Sequence, residues 1–173
     1  MRYCGPKYFD EKGQVALVPW DDAMHLPYLL DRLDANPWTL DDKYGDPSAF
    51  FNFMLRAIDA HFFGVEVDGQ LRGVVYASEL RPGHRVWLHG YGDPQHPSIP
   101  ARAFNLLADY AFRRWRVDVV HTEHCVANRG ATAVLTRAKW PHKIVIPLEH
   151  SYQGQHYDAV MFSLTREEWH GRR

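Results

Sequence analysis

Cysteine is nearly absent from this 173-residue chain. Only Cys4 and Cys125 occur, far apart, so no disulfide framework is available to staple the fold. Long apolar runs are also missing, and nothing approaches the ~20 residues a membrane-spanning helix requires. The opening residues, MRYCGPKYFDEKG, lack the apolar stretch of a secretory signal. Nor does charge of one sign dominate. Twenty basic residues stand against 21 acidic ones, a formal net charge of −1, which removes the electrostatic case for nucleic acid or an acidic membrane as partner. The arginines that do cluster, Arg113, Arg114 and Arg116 and then Arg172 and Arg173, read as a solvated helix end and a tail. The absences together lead to the expectation of a soluble, cytoplasmic protein. Its 46% apolar content and its length suffice for the core of one domain.

Periodicity then divides the chain. Residues 1–14, punctuated by Gly5, Pro6 and Gly13, read as an irregular arm, residues 15–169 as a single domain and 170–173 as a tail. Val15–Val18 reads as a strand. Asp21 or Asp22 can cap a helix carrying Ala23, Leu26, Leu30 and Leu33, with Pro27 blurring its start, and Ser48 can cap a second helix. Phe62–Val67 and Leu71–Leu80 flank Asp68-Gly69, the turn signal of a tight hairpin, and Val86–Tyr91 follows as a third strand. Ala101–Trp115 and Asn128–Ala138 read as helices on either side of the strand Val117–Cys125. Lys143–Leu148 and Asp158–Leu164 are the closing strands, before Thr165–Trp169 ends the domain. The order is β-α-α-β-β-β-α-β-α-β-β, an α/β arrangement.

One stretch departs from an otherwise regular pattern. GDPQHPSIPARAF, from Gly92 to Phe104, joins a strand to a helix, a common place to hold a phosphate on backbone N–H groups. Such loops use glycine, whereas here three prolines appear and no glycine lies between Gln95 and Phe104. Ser98 is a good N-cap and Pro100 suits a first helical turn, so the stretch reads equally as a well-capped helix start.

The element order, the stretch DYAFRRWRVDVVHTEHCVANRGATAVLTRAKW and the closing GQHYDAVMFSLTREEW resemble the GNAT family of N-acetyltransferases, in particular its ribosomal-protein and aminoglycoside acetyltransferase-like branch. The resemblance is strongest over the second half. Asn128 takes the position of the family's asparagine, and Lys139-Trp140 stands where Gly-Phe is usual. It implies a mixed sheet of six to seven strands flanked by about four helices, with Val86–Tyr91 and Val117–Cys125 parting at one end. The pantetheine arm of acetyl-CoA would lie in that gap, with its pyrophosphate at the start of the helix near Pro100. The family's glycine loop is degenerate here. Gln95 fits its pattern, while Ser98 and Pro100 replace the glycines. The cofactor contacts that the resemblance implies fall on Tyr91, Gln95, Ser98, Ala101, Arg102 and Asn128, and the partners are CoA and an amine acceptor. Oligomeric state is left open.

Acetyl transfer to an amine needs a proton acceptor. Alternation places Trp87, His89 and Tyr91 on one face of their strand, and His121, Glu123 and Cys125 on one face of theirs. His89, Glu123 and Glu79 are the candidate bases. The family's thiolate-protonating tyrosine falls on Leu135, leaving Tyr152 or Tyr157 as substitutes if folding brings them near. No metal site is expected, because His121 and His124, three apart on a strand, face opposite ways. Cys125 reads as a buried free thiol. Trp38, Tyr44, Phe50, Phe51 and Phe53 divide between core and acceptor pocket. The alternative to an enzyme is a GNAT-shaped binding or assembly module, or a transferase with another acyl donor.

Overall fold

Runs of β-branched and aromatic residues form the sheet, and it is larger than expected. The computed structural model of the chain describes residues 6–35, 46–56, 60–93, 95–96 and 98–172. Eight strands stand in the order β1-β2-β3-β4-β5-β6-β8-β7. They are β1 (Tyr8–Phe9), β2 (Val15–Pro19), β3 (His61–Val67), β4 (Gln70–Arg81), β5 (Arg85–Gly92), β6 (Val119–Cys125), β7 (His142–Tyr152) and β8 (Gln155–Thr165). The helices are α1 (Asp22–Ala35), α2 (Pro47–Arg56), α3 (Ser98–Tyr110), α4 (Arg129–Arg137) and α5 (Arg166–His170).

The expected strands and helices are present, with two additions. The arm of residues 1–14 is not wholly irregular, because Tyr8 and Phe9 pair with Leu17 and Ala16 and extend the sheet by one strand. The closing segment is a fifth helix, with Thr165 and Glu168 forming a reciprocal capping box. The caps of the first two helices are also resolved. Asp21 Oδ1 accepts from the Ala23 N–H, and Asp46 rather than Ser48 caps α2 by accepting from the Ala49 N–H at 2.8 Å. Asp68 and Gly69 both have positive φ, 51° and 74°, as the hairpin turn requires.

Alternation sends β-strand side chains to two cores. Phe62, Val74 and Tyr76 meet Trp20, Leu29, Leu33 and Phe50 beneath α1 and α2. Val65, Val75, Leu88, Val120 and Leu164 meet Phe104, Leu107 and Leu135 of α3 and α4 on the opposite face. After Tyr110 the third helix widens into a π-helical turn, Ala111–Trp115, which stops where Arg116 turns left-handed at φ 55°. Asp109, only 6% exposed, ties the two ends of the described chain together. Its carboxylate accepts from Tyr8 Oη at 2.6 Å, Trp169 Nε1 at 2.8 Å and Arg113 Nε at 2.9 Å.

Lys139 explains its own place in the sequence. It follows α4 with φ 61°, a left-handed position that glycine occupies without steric cost. The Lys139 N–H closes on Thr136 O at 3.0 Å, and Trp140 then drops into the core with its indole N–H on Asn105 Oδ1. Lys139→Gly should therefore stabilise the protein by about 0.5–1 kcal/mol, relief of the left-handed Cβ outweighing the added freedom of the unfolded chain. The urea midpoint of the variant measures this; a lower midpoint than wild type contradicts it.

Candidate active site

The sheet changes character at its only parallel pair among the described strands. β5 and β6 are joined through Arg85↔Val119, Val86↔Val120 and Trp87↔His121, and there the ladder between them ends. Beyond it, β5 runs on beside β4 as far as Gly92, opposite Gly73, and β6 runs on beside β8 as far as Cys125, opposite Ala159. From Leu88 and Thr122 onward the two neighbours thus answer to different partners. A strand edge without a ladder partner can take an extended, amide-bearing chain as an added strand. The pantetheine arm that the family resemblance implies is such a chain.

Trp87, His89 and Tyr91 on β5 and His121, Glu123 and Cys125 on β6 share one face at this fork. The Trp87 and His121 rings are 5.2 Å apart. His89 is stacked at 4.5 Å on Tyr76, and its Nε2 lies 3.0 Å from Ser78 Oγ. Burial pushes its pKa down to about 4. At neutral pH His89 is an uncharged hydrogen-bonding ring and a weak proton acceptor, which counts against the role of base expected of it. His121 Nδ1 lies 2.8 Å from Ser163 Oγ. Burial lowers its pKa, and the neighbouring Arg85 and His84 lower it further. Glu123 is half-buried between His121 and the end of the strand. The Cys125 thiol is fully buried; burial raises its pKa, against backbone N–H groups of Ala127 and Asn128 that lower it, so it stays protonated.

Glu79 lies elsewhere. It is exposed on a bulge of β4 between Ser78↔Trp87 and Arg81↔Arg85, with φ 51°, beside the end where β5 and β6 are still paired. His124 faces the opposite side from His121, with Nε2 2.8 Å from Thr132 Oγ1 and its ring stacked on Phe162. Burial, and then the charge of Lys143, pushes its pKa down to about 4. Tyr152 and Tyr157 sit on the β7–β8 hairpin, past the Cys125 end of β6, with the Tyr157 hydroxyl donating to Gln155 Oε1. Leu135 is buried in the core. Phe50 is core, Phe53 is 55% exposed, Trp38 and Tyr44 lie outside the described residues, and so does the side chain of Phe51.

The expected cofactor residues before and within α3 have other engagements. Tyr91 packs beside Tyr76 at 6.2 Å. Ala101 is buried in the core. Arg102 holds Asp10, with Nε 2.9 Å from Oδ2 and a second contact through its Nη2. Burial works to raise the Asp10 pKa, but these hydrogen bonds and the Val15 and Gln14 N–H groups leave it below its ordinary value. Ser98 is the first helical residue instead of the N-cap, and it is exposed, as is Gln95. Asn128 caps α4, its Oδ1 accepting from the Ala131 N–H at 3.0 Å.

Asp93 is the residue that sequence reasoning missed. Its Oδ1 accepts from the Gln95 N–H at 2.9 Å, while Oδ2 lies 2.9 Å from His96 Nδ1 and 3.3 Å from Arg72 Nη1. Burial works to raise its pKa, yet these partners hold it below the ordinary value. An Asp-Pro pair after a strand is a turn-initiating signal that could have flagged it. The role of Arg72 had no local signal, since it reaches in from β4.

No protein-family model matches the sequence, and no curated protein matches it. Solved structures do match. The ribosomal L7/L12 α-N-protein acetyltransferase RimL, solved with coenzyme A, superposes with a TM-score of 0.74 at 15% identity, covering 94% of this chain and 99% of that one. Spermidine N-acetyltransferase from Vibrio cholerae, solved with CoA and spermine, gives a TM-score of 0.72 at 15% identity, covering 90% of this chain and 98% of that one. A third structure, assigned as an acetyltransferase with no acceptor named, gives 0.76 at 21% identity over 98% and 91%. Forked at β5 and β6 and superposing on these proteins over nearly its whole length, the chain has the fold of the GNAT acetyltransferases.

Proposed function

We propose that the protein is an acetyl-CoA-dependent N-acetyltransferase that acylates a primary amine of a small molecule or a protein. The observation that carries this reading is the end of the β5–β6 ladder at Trp87/His121, inside a fold shared with RimL and spermidine N-acetyltransferase. Acetyl-CoA, when bound, supplies the activated acetyl thioester. The edge of β5 from Leu88 to Tyr91 offers backbone groups to an extended amide-bearing arm. Glu123 is the proposed proton acceptor for the amine, directly or through one water, because it is the carboxylate on the shared face of the fork while His89 is too weakly basic. His89, fixed by Ser78 and Tyr76, and His121, fixed by Ser163, orient and shield the reacting amine. Asn128 supports the site from behind by holding the start of α4.

Calorimetry and thermal-shift measurements with acetyl-CoA and CoA test the reading, followed by mass spectrometry of a polyamine and a peptide N-terminus as acceptors. Binding in the micromolar to millimolar range and a mass gain of one acetyl group are expected. Glu123→Gln should lower kcat by about 100-fold with unchanged CoA affinity. No heat and no shift at millimolar ligand would leave a GNAT-shaped binding module in place of an enzyme.

A further inference from the structure

Building on the proposed acetyltransferase reading, we infer that this chain selects its acyl donor by the pantetheine thioester alone and takes no appreciable affinity from the diphosphate of CoA. The basis is an inventory of donors in the loop that would receive that diphosphate. Residues 93–102 include three prolines, Pro94, Pro97 and Pro100, which have no N–H. Four further N–H groups already donate within the protein: Asp93 to Arg72 O at 3.0 Å, Gln95 to Asp93 Oδ1 at 2.9 Å, His96 to Asp93 O at 3.1 Å and Ile99 to His96 O at 3.0 Å. At most Ser98, Ala101 and Arg102 are left to face a ligand.

The charged donors tell the same story. Arg102 is held by Asp10, and Arg72 and His96 are held by Asp93. The loop therefore already encloses an anion, the Asp93 carboxylate, and a diphosphate arriving there would meet that negative charge with the nearby cations engaged. Space is short as well. A Cβ at Gly92 would stand 2.3 Å from Pro100 Cγ, so the proline ring is pressed against the end of β5. A hydrocarbon ring thus sits in the corner between strand and helix where glycine-rich loops leave bare backbone. The β5 edge that would receive the arm lies before Gly92 and is built of ordinary strand backbone.

The class of donor that follows is any acetylated pantetheine. Its thioester carbonyl carbon is attacked by the amine nitrogen, the carbon–sulfur bond breaks to release a thiolate, and the proton the amine gives to Glu123 ends on that sulfur, so amine and thioester become amide and thiol with no net change in protons.

Calorimetry of the full chain with CoA and with pantetheine decides the matter. The two dissociation constants should agree within about threefold, and raising the salt concentration should weaken CoA no more than pantetheine. A CoA affinity more than about tenfold above that of pantetheine overturns the inference while leaving the acetyltransferase reading intact. Binding of neither ligand overturns both. Asp93→Ala, checked for folding by circular dichroism, frees Gln95 N–H, His96 and Arg72 and should raise the CoA-to-pantetheine affinity ratio at least about fivefold. An unchanged ratio in a folded variant refutes Asp93 as the resident anion.

Discussion

Mild acid should unfold this protein, with the loss beginning near pH 6.5. His89 and His124 are each pushed by burial to a pKa of about 4, whereas an unfolded histidine titrates near 6.5. Between those values the unfolded chain binds protons that the folded chain refuses, so stability falls as pH falls. It is fully present above pH 6.5 and exhausted for these groups near pH 4. Each histidine should remove about 2 kcal/mol by pH 5 and about 3 kcal/mol by pH 4. His25 and His121, also lowered by burial, add to the slope in the same direction. The lowered carboxylates of Asp10, Asp93 and Glu168 act in a separate window, below their unfolded values near pH 4. Urea unfolding at pH 7.5 and pH 5 measures the effect. Equal stability at both values would contradict it, and His124→Asn should flatten the slope by roughly the share of one group.

Asp109→Ala should cost about 3–5 kcal/mol. The carboxylate accepts from the buried indole N–H of Trp169 and from the half-buried hydroxyl of Tyr8, and its removal takes that acceptor from both. Arg113 contributes little to this sum because its side chain is 49% exposed. Asp109→Asn separates charge from geometry. It retains an acceptor oxygen for one partner, and its loss should be about half as large. Chemical denaturation with near-ultraviolet circular dichroism of Trp169 reports both the energy and the loosened indole. A loss below about 1 kcal/mol in the alanine variant would show that water or a shifted side chain replaces the carboxylate.

The elements with strong periodicity are legible in the residues alone. Asp68-Gly69 between two alternating runs fixed the β3–β4 hairpin, and the period-two pattern put Val86 and Leu88 on one face and Trp87, His89 and Tyr91 on the other. What escaped is non-local. Tyr8–Phe9 is too short to announce itself and is a strand only because β2 offers an edge. His89 is a plausible base by residue type, but its burial, against Tyr76 and Ser78 of another strand, decides its charge. Ser98 reads as a cap by type, yet the helix has already begun there. Arg102 reads as a phosphate ligand until Asp10, 92 positions away, is brought to it. The fork between β5 and β6 is a property of register, and register between distant strands is not written in either strand alone.

The Asp109 junction also sets an order of assembly. β3, β4 and β5 form a meander of antiparallel neighbours whose contacts are local in the chain, so this part can pair while later residues are still being synthesised. Tyr8, however, finds its acceptor only when α3 exists, and that acceptor is shared with Trp169 of the last helix described. The first strand of the sheet is thus fastened by a residue 101 positions further along the chain, and Trp169 then joins the same carboxylate. A ribosome-bound chain halted before α3 should carry a paired β3–β5 meander with its leading strand more open to proteases than in the finished protein.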